Sequence, residues 1–342
     1  MMERDAGLVT TIIPVHNRAA MLHEAVASVL AQTYRPIEIL IVDDASTDDT
    51  ANMADDLARS HREVQVIHLD INRGTGLARE AARQLARGEF LQHLDSDDLL
   101  LPRKFDLQVG ALRANPDAGV AYGWTRLRRE DGRLEPRPWK ESGIRRDRMF
   151  PSFLRSRWWD TPTPLYRASG CDAAGPWSDL RLEEDWEYDC RIAALGTRLA
   201  FVEDWVAEVR EHPGSKLGRG AAFDAERLSE RARSHEMIFQ NARAAKIDHS
   251  VPEMQHFARE LFLLSRQCGA AGLVDESRRL FELARMASGP RASGLDFRSY
   301  SLLAHILGWK VTGRLACWSD LFRPGSASRA EQDDADRPLE TS

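Results

Sequence analysis

Four short apolar runs alternate with helical patterns through the first hundred residues, and no other feature of the chain narrows its fold so far. Residues 8–13 are apolar and β-branched and end at Pro14. Residues 21–30 carry Met21, Leu22, Ala25, Val26, Val29 and Leu30 at the three- and four-residue spacing of a helix face. Residues 37–42 are almost continuously apolar, as a strand covered on both faces should be. A helical pattern at 50–57, an alternating run at 64–69, a helical pattern at 76–86 and a strand at 90–94 complete the series. Alternation of this kind implies a mostly parallel α/β sheet flanked by helices. Right-handed crossovers then gather the strand C-termini along one edge, where ligands of open α/β sheets bind.

That edge is where the acids lie. The strand at 37–42 runs into Asp43-Asp44-Ala45-Ser46-Thr47-Asp48, and the strand at 90–94 runs into Asp95-Ser96-Asp97-Asp98. Three carboxylates within four residues repel one another unless a cation lies between them. Oxygen ligands of this kind suit Mg²⁺ or Mn²⁺, which commonly bridge one or two carboxylates and a substrate phosphate. Helix capping is the competing reading for Asp48 and Asp98, and a strand-end cap for Asp43.

The series Pro14-Val15-His16-Asn17, Val42-Asp43-Asp44-Ala45-Ser46-Thr47-Asp48, Asn72-Arg73-Gly74 with Ala78-Arg79, and Asp95-Ser96-Asp97-Asp98 resembles the family 2 glycosyltransferases of the GT-A fold. Glu183-Glu184-Asp185-Trp186 resembles the acidic segment that such enzymes place on the acceptor side. Val209-Arg210-Glu211-His212-Pro213-Gly214-Ser215 resembles the segment that closes their catalytic domain. The resemblance covers about residues 7–216. It implies a nucleotide-sugar site formed by Pro14, Asn17, Asp43, Asp44, Asn72, Arg79, Asp95 and Ser96. It also implies a metal site at Asp97 with Asp95 and His212, and Mn²⁺ or Mg²⁺ as the cofactor that neutralises the diphosphate leaving group. Asp185 is then the candidate base that takes a proton from the acceptor hydroxyl, with Glu184 beside it as the alternative or as a holder of the acceptor. One departure stands out: Glu80 follows Arg79 where the family pattern has Asn.

The resemblance implies an inverting, metal-dependent glycosyltransferase that moves a sugar from a nucleotide-diphosphate donor, UDP by default, to a glycan, lipid-linked or protein acceptor. Cell-surface polysaccharide synthesis is the expected setting. A non-catalytic nucleotide-sugar-binding protein on the same fold is the alternative. A phosphatase of the haloacid-dehalogenase type would place its acidic pair on the first strand, and Asn72-Arg73-Gly74-Thr75-Gly76 does not form the glycine pattern of a dinucleotide fold.

Beyond the catalytic segment the reading is coarser. Residues 126–148, rich in arginine and proline, suggest a mobile excursion or an acceptor lid. Trp158, Trp159 and Trp177 fit either sugar stacking or a core. The expected division is a catalytic domain at 1–218, a helical region at 219–323 and a disordered tail at 324–342. Within the helical region, Trp309, Leu315, Trp318, Leu321 and Phe322 with Lys310, Arg314 and Arg323 suggest an interfacial helix. Peripheral membrane contact and a homodimer through this region are therefore expectations. The net charge of −6 and the absence of a broad basic face point away from nucleic acid. Four cysteines without metal-site spacing, and no signal-peptide or membrane-spanning pattern, lead us to expect a cytoplasmic protein at the inner face of the membrane.

Overall fold

The computed structural model describes residues 4–212 and 224–321. An eight-stranded mixed sheet organises the first part. Its first half is built as the alternation requires: β1 (Asp5–Val15), α1 (Ala19–Leu30), β2 (Ile37–Asp43), α2 (Thr50–Ser60), β3 (Val64–His68), α3 (Thr75–Arg83) and β4 (Gly88–His93). All seven residues of β2 are buried, which accounts for its almost continuously apolar run. β1 pairs in parallel with β2 on one side and β4 on the other, and β2 pairs in parallel with β3. The chain therefore steps outward through β2 and β3 and returns to the far side of β1. That reversal of strand order creates the crevice at the C-terminal ends of β1, β2 and β4.

The second half is mixed. After β5 (Leu99–Leu100) and α4 (Lys104–Ala114), β6 (Ala118–Arg128), β7 (Leu165–Arg167) and β8 (Arg198–Arg210) extend the sheet in the order β4-β7-β6-β8-β5. β7 is antiparallel to both β4 and β6, whereas β6 and β8 run parallel. β8 is one long strand, with register shifts where Gly123 and Trp124 of β6 pass Val202 and Trp205. Leu22, Val26, Val29, Ile39, Ile41, Ala54, Leu57, Phe90, Phe105, Val109 and Leu112 pack α1, α2 and α4 onto the sheet as one core.

The segment expected as an excursion begins inside β6 and is then tied down. Trp139 N donates to Thr125 O (2.7 Å), Thr125 N donates to Ser142 Oγ (3.1 Å), and the Tyr122 hydroxyl donates to Ile144 O (2.8 Å). Its many arginines bind carboxylates, as Arg126 and Arg128 do with the buried Glu208. Trp158, Trp159 and Trp177 are core residues, exposed by 5% or less. Two short helices, α5 (Ala168–Ala174) and α6 (Glu184–Ala194), lie between β7 and β8.

The rest is helical: α7 (Ala225–Ala244), α8 (Pro252–Ala271), α9 (Val274–Ser288), α10 (Leu295–Leu307) and α11 (Trp309–Leu321). By compactness one unit takes in residues 4–212 with Gln240–Lys246, and the second takes in 224–239 with 247–321. In the second unit α8 and α9 form a hairpin whose turn needs Gly272 at φ 94°. α11 crosses α8 at Gly313, where a Cβ would stand 2.6 Å from Ala270 N. Pro213, Gly214 and Ser215, the tail at 324–342, and Phe322 and Arg323 lie outside the described residues.

Candidate active site

Asp95, Ser96, Asp97 and Asp98 form a tight turn beyond β4, closed by Asp98 N donating to Asp95 O (3.1 Å). The turn crowds three carboxylates. Burial, then the charges of Asp97, Asp95 and Asp160, push the buried Asp98 carboxyl well above the usual range, although Arg210 N donates to it (3.1 Å). Burial also raises Asp95, with Asp97 and Asp185 adding to the effect and Arg79 opposing it. Asp97 Oδ2 meets Arg18 Nη1 and lies 3.0 Å from His212 Nε2. Ser96 is buried in the same turn.

Arg79, on α3, is the hinge of the cluster. Its guanidinium is 2% exposed and donates to Asp95 Oδ1 (2.6 Å) and to Glu184 Oε1 (2.9 Å), while its face lies over Trp177, 4.9 Å from the ring centroid. One arginine thus joins the acidic turn after β4 to the acidic first turn of α6. Thr75 at the start of α3 also donates to Glu184 Oε1 (2.6 Å). Burial and the neighbouring Asp185 charge raise Glu184 against the pull of Arg79. Glu184 is therefore committed to the protein, and Arg79 stands between carboxylates rather than on an open surface.

Asp185 has the opposite electrostatics. Its Oδ2 accepts from Arg157 Nη1 (2.6 Å) and Thr161 Oγ1 (3.3 Å), and its Oδ1 accepts from Trp186 N (2.7 Å). Burial works to raise this carboxyl, but the charges of Arg157, Arg79 and Lys140 outweigh it and hold the group below the ordinary range. Arg157 is itself anchored through Asp189 Oδ2 (2.8 Å), and Asp189 is held by Trp159 Nε1 (2.8 Å) and the Tyr166 hydroxyl (2.6 Å). The helix N-terminus further favours anionic Glu184 and Asp185, so a helix-start role and a site role coincide.

The loops after β1, β2 and β3 are knitted by the remaining predicted residues. Pro14 is buried near the end of β1, in register with Val42. Asn17 adopts φ 53°, and its Oδ1 accepts from Thr47 N (2.7 Å). Asp43 turns inward, accepting from Ser46 N (3.1 Å) and lying 3.1 Å from His68 Nδ1, which is the strand-end cap. Asp44 accepts from Arg73 N (2.7 Å) and Gly74 N (2.8 Å), clamping the loop after β3 to the loop after β2. Exposed Asn72 accepts from Arg181 Nη1 (2.7 Å). Asp48, one residue before the N-cap of α2, accepts from Thr50 N (2.9 Å) at the start of that helix. Glu80, the departure from the family pattern, binds Arg83 (2.8 Å) and accepts from Trp177 N (3.1 Å), so it fastens α3 to the segment before α6.

Arg18, Thr75, Arg157, Thr161 and Arg210 enter the cluster without a sequence signal. They lie in loops or at element ends, where periodicity says nothing. Thr75 and Arg210 fell inside quoted segments, and there for different reasons.

No group of three or more His, Cys, Asp or Glu suited to hold a metal is preassembled among the described residues. The donor set still fits a hard divalent cation: carboxylate oxygens on one turn, two of the three groups raised by burial and then by one another's negative charge. Asp97 and Asp95 would hold it, with His212 beside Asp97.

Residues 10–170 match the family model described as Glycosyl transferase family 2. Glycosyltransferase GlyG of Streptococcus pneumoniae serotype 4 is 34% identical over 116 residues, covering 34% of this chain and 38% of that protein. The chondroitin synthase of Escherichia coli is 34% identical over 127 residues, covering 37% of this chain and 18% of that one. The chain thus spans well under half the length of these curated relatives. S. aureus TarS 1-349, solved with UDP, superposes with a TM-score of 0.62 at 18% identity, over 92% of this chain and 93% of that one. The same protein with UDP-GlcNAc gives 0.60 at 19% identity, over 88% and 92%. Identity at that level shows the fold, and the fold is the GT-A arrangement of a curled mixed sheet with a helical C-terminal region. The matched segment runs from within β1 to just past β7 and takes in both acidic turns of the sheet edge, so this stretch of the chain is similar to a glycosyl transferase family 2 domain.

Proposed function

We propose that this chain is an inverting, metal-dependent glycosyltransferase that transfers a sugar from a nucleotide-diphosphate donor to an acceptor hydroxyl. The observation that carries the reading is the Arg79 bridge. It links Asp95, on the turn expected to meet the donor, with Glu184, next to the base candidate Asp185. Asp44, Asn17 and Asn72 frame the loops at the nucleotide end, and Asp95 and Asp97 face the diphosphate. Bound Mg²⁺ or Mn²⁺ would neutralise charge developing on the departing diphosphate. Asp185, held ionised by Arg157, takes the proton of the acceptor hydroxyl as its oxygen attacks the anomeric carbon. Arg79 and Thr75 keep Glu184 in place so that the first turn of α6 presents Asp185. UDP is the favoured nucleotide, in keeping with the ligands named for TarS. The acceptor class is a glycan, a lipid-linked glycan or a protein, in cell-surface polysaccharide synthesis.

Calorimetric titration of UDP and GDP with and without Mn²⁺, on wild type and Asp97→Ala, tests this. Metal-dependent binding of one nucleotide, weakened at least about tenfold by the substitution, is expected. Absence of binding under every condition would overturn the proposal. Slow hydrolysis of the donor by wild type, lost in Asp185→Asn, separates an enzyme from a binding protein on the same fold.

A further inference from the structure

The second unit exposes an apolar surface that its own packing does not use. Of the fifteen large hydrophobic residues exposed among the described residues, eight fall between Leu295 and Trp318. Leu295, Leu302 and Ile306 of α10 are 83%, 60% and 65% exposed, and Val311 and Leu315 of α11 are 46% and 48% exposed. The buried face of α10 is the opposite one: Tyr300 and Ala304 are 6% and 4% exposed. At ~100° per residue the exposed apolar positions of each helix fall on one side. Trp309, expected from sequence to belong to this surface, instead packs inward with its ring 5.4 Å from Phe281. Scattered apolar residues are normal on a protein surface, but a contiguous stripe on two consecutive helices marks an interaction site.

Charge identifies the occupant. Arg298 and His305 border the apolar stripe of α10 along one side, and Lys310 and Arg314 border that of α11 in the same way, all four exposed. A cavity of about 680 Å³ beside the stripe is lined by Arg285, Arg298, His305, Phe297 and Leu302, with no acid among its lining residues. Asp296 is the exposed acid on α10, in its first turn. This basic border sits on a chain whose net charge is −6. No described helix is long and apolar enough to cross a membrane. An exposed apolar stripe with a cationic border matches a helix lying in the plane of an anionic bilayer: the apolar side chains enter the acyl boundary while arginine and lysine meet lipid phosphates. We propose that α10 and α11 dock this protein on an anionic lipid surface, with the basic cavity facing the headgroups. The inference does not depend on the glycosyl-transfer reading.

Flotation of the full chain with phosphatidylcholine vesicles, with and without about a quarter phosphatidylglycerol, tests it. Wild type should float with the anionic vesicles and lose binding as salt rises. Ile306→Glu with Leu315→Glu should lower binding about tenfold or more, and Arg298→Gln with Lys310→Gln about fivefold per charge removed. Both variants should keep the wild-type melting curve, because the altered side chains are exposed. Equal flotation of wild type and the Ile306/Leu315 variant would overturn the proposal. So would a wild type that ignores vesicles yet sediments as a dimer that the same variant splits, since the stripe would then seat a second copy of the chain.

Discussion

Asp185 and Glu184 are neighbours in sequence with opposite electrostatics. Glu184 is shut in by Thr75 and Arg79 and is pushed up, while Asp185 leans on Arg157 and is held down. A carboxylate poised this way stays ionised at low pH, and the guanidinium is what keeps it so. Removing Arg157 should let burial dominate and raise the Asp185 carboxyl. The acidic limb of the kcat/KM profile should therefore move to higher pH in Arg157→Gln and move less in Arg157→Lys, with nucleotide affinity unchanged. A uniform loss at every pH would mean that Arg157 only supports the fold. Asp185→Asn should lower kcat by at least about a hundredfold with donor binding retained.

At the scale of elements, close approaches between backbones set the site. Gly76 in the first turn of α3 lies against Ser178, where an added Cβ would stand 2.7 Å from the carbonyl oxygen. Gly76→Ala should displace α3 from the segment before α6 and loosen the Arg79–Glu184 bridge. Transfer activity should fall more than nucleotide affinity, a difference that steady-state kinetics with parallel calorimetry would show. In the helical unit, Gly313→Ala would bring a methyl against Ala270 N and Arg266 O and force α11 away from α8. Thermal denaturation should register a loss of about 1–3 kcal/mol, the usual cost of overpacking.

For the whole molecule, the acidic turn trades stability for charge. The Asp98 carboxyl is raised in the folded protein, so the folded state binds this proton more tightly than the unfolded chain does. Stability from this group is therefore full below its unfolded pKa and is lost as pH rises through the folded one. Asp98→Asn should raise the melting temperature by a few degrees at neutral pH, and the gain should shrink towards nothing in acid. On the proposed function, Mn²⁺ with the cognate nucleotide should raise the wild-type melting temperature by mass action, because a ligand that binds only the folded state stabilises it. The first compact unit includes Gln240–Lys246 as well as the sheet, and Asn241 donates to Glu187 Oε1 (3.3 Å). A fragment ending at 246 should therefore melt higher than one ending at 218.

The strand and helix order of residues 5–93, the acidic turns at strand ends and the helical character of the last third could be read from the chain alone. Periodicity and burial are local properties: β2 is mostly apolar because both its faces are covered, and a strand end in a parallel sheet has only one edge to occupy. Tertiary structure decided which acids are occupied and by what. Asp44 became a clamp on residues 73–74, and Glu80 became a fastener for Trp177. Arg18, Arg157 and Arg210 reached the cluster from loops and strand ends distant in sequence, and Trp309 turned inward while α10 turned its leucines out. These outcomes depend on which charges and backbones meet from 28 to 112 residues apart in the chain, information that no local pattern holds.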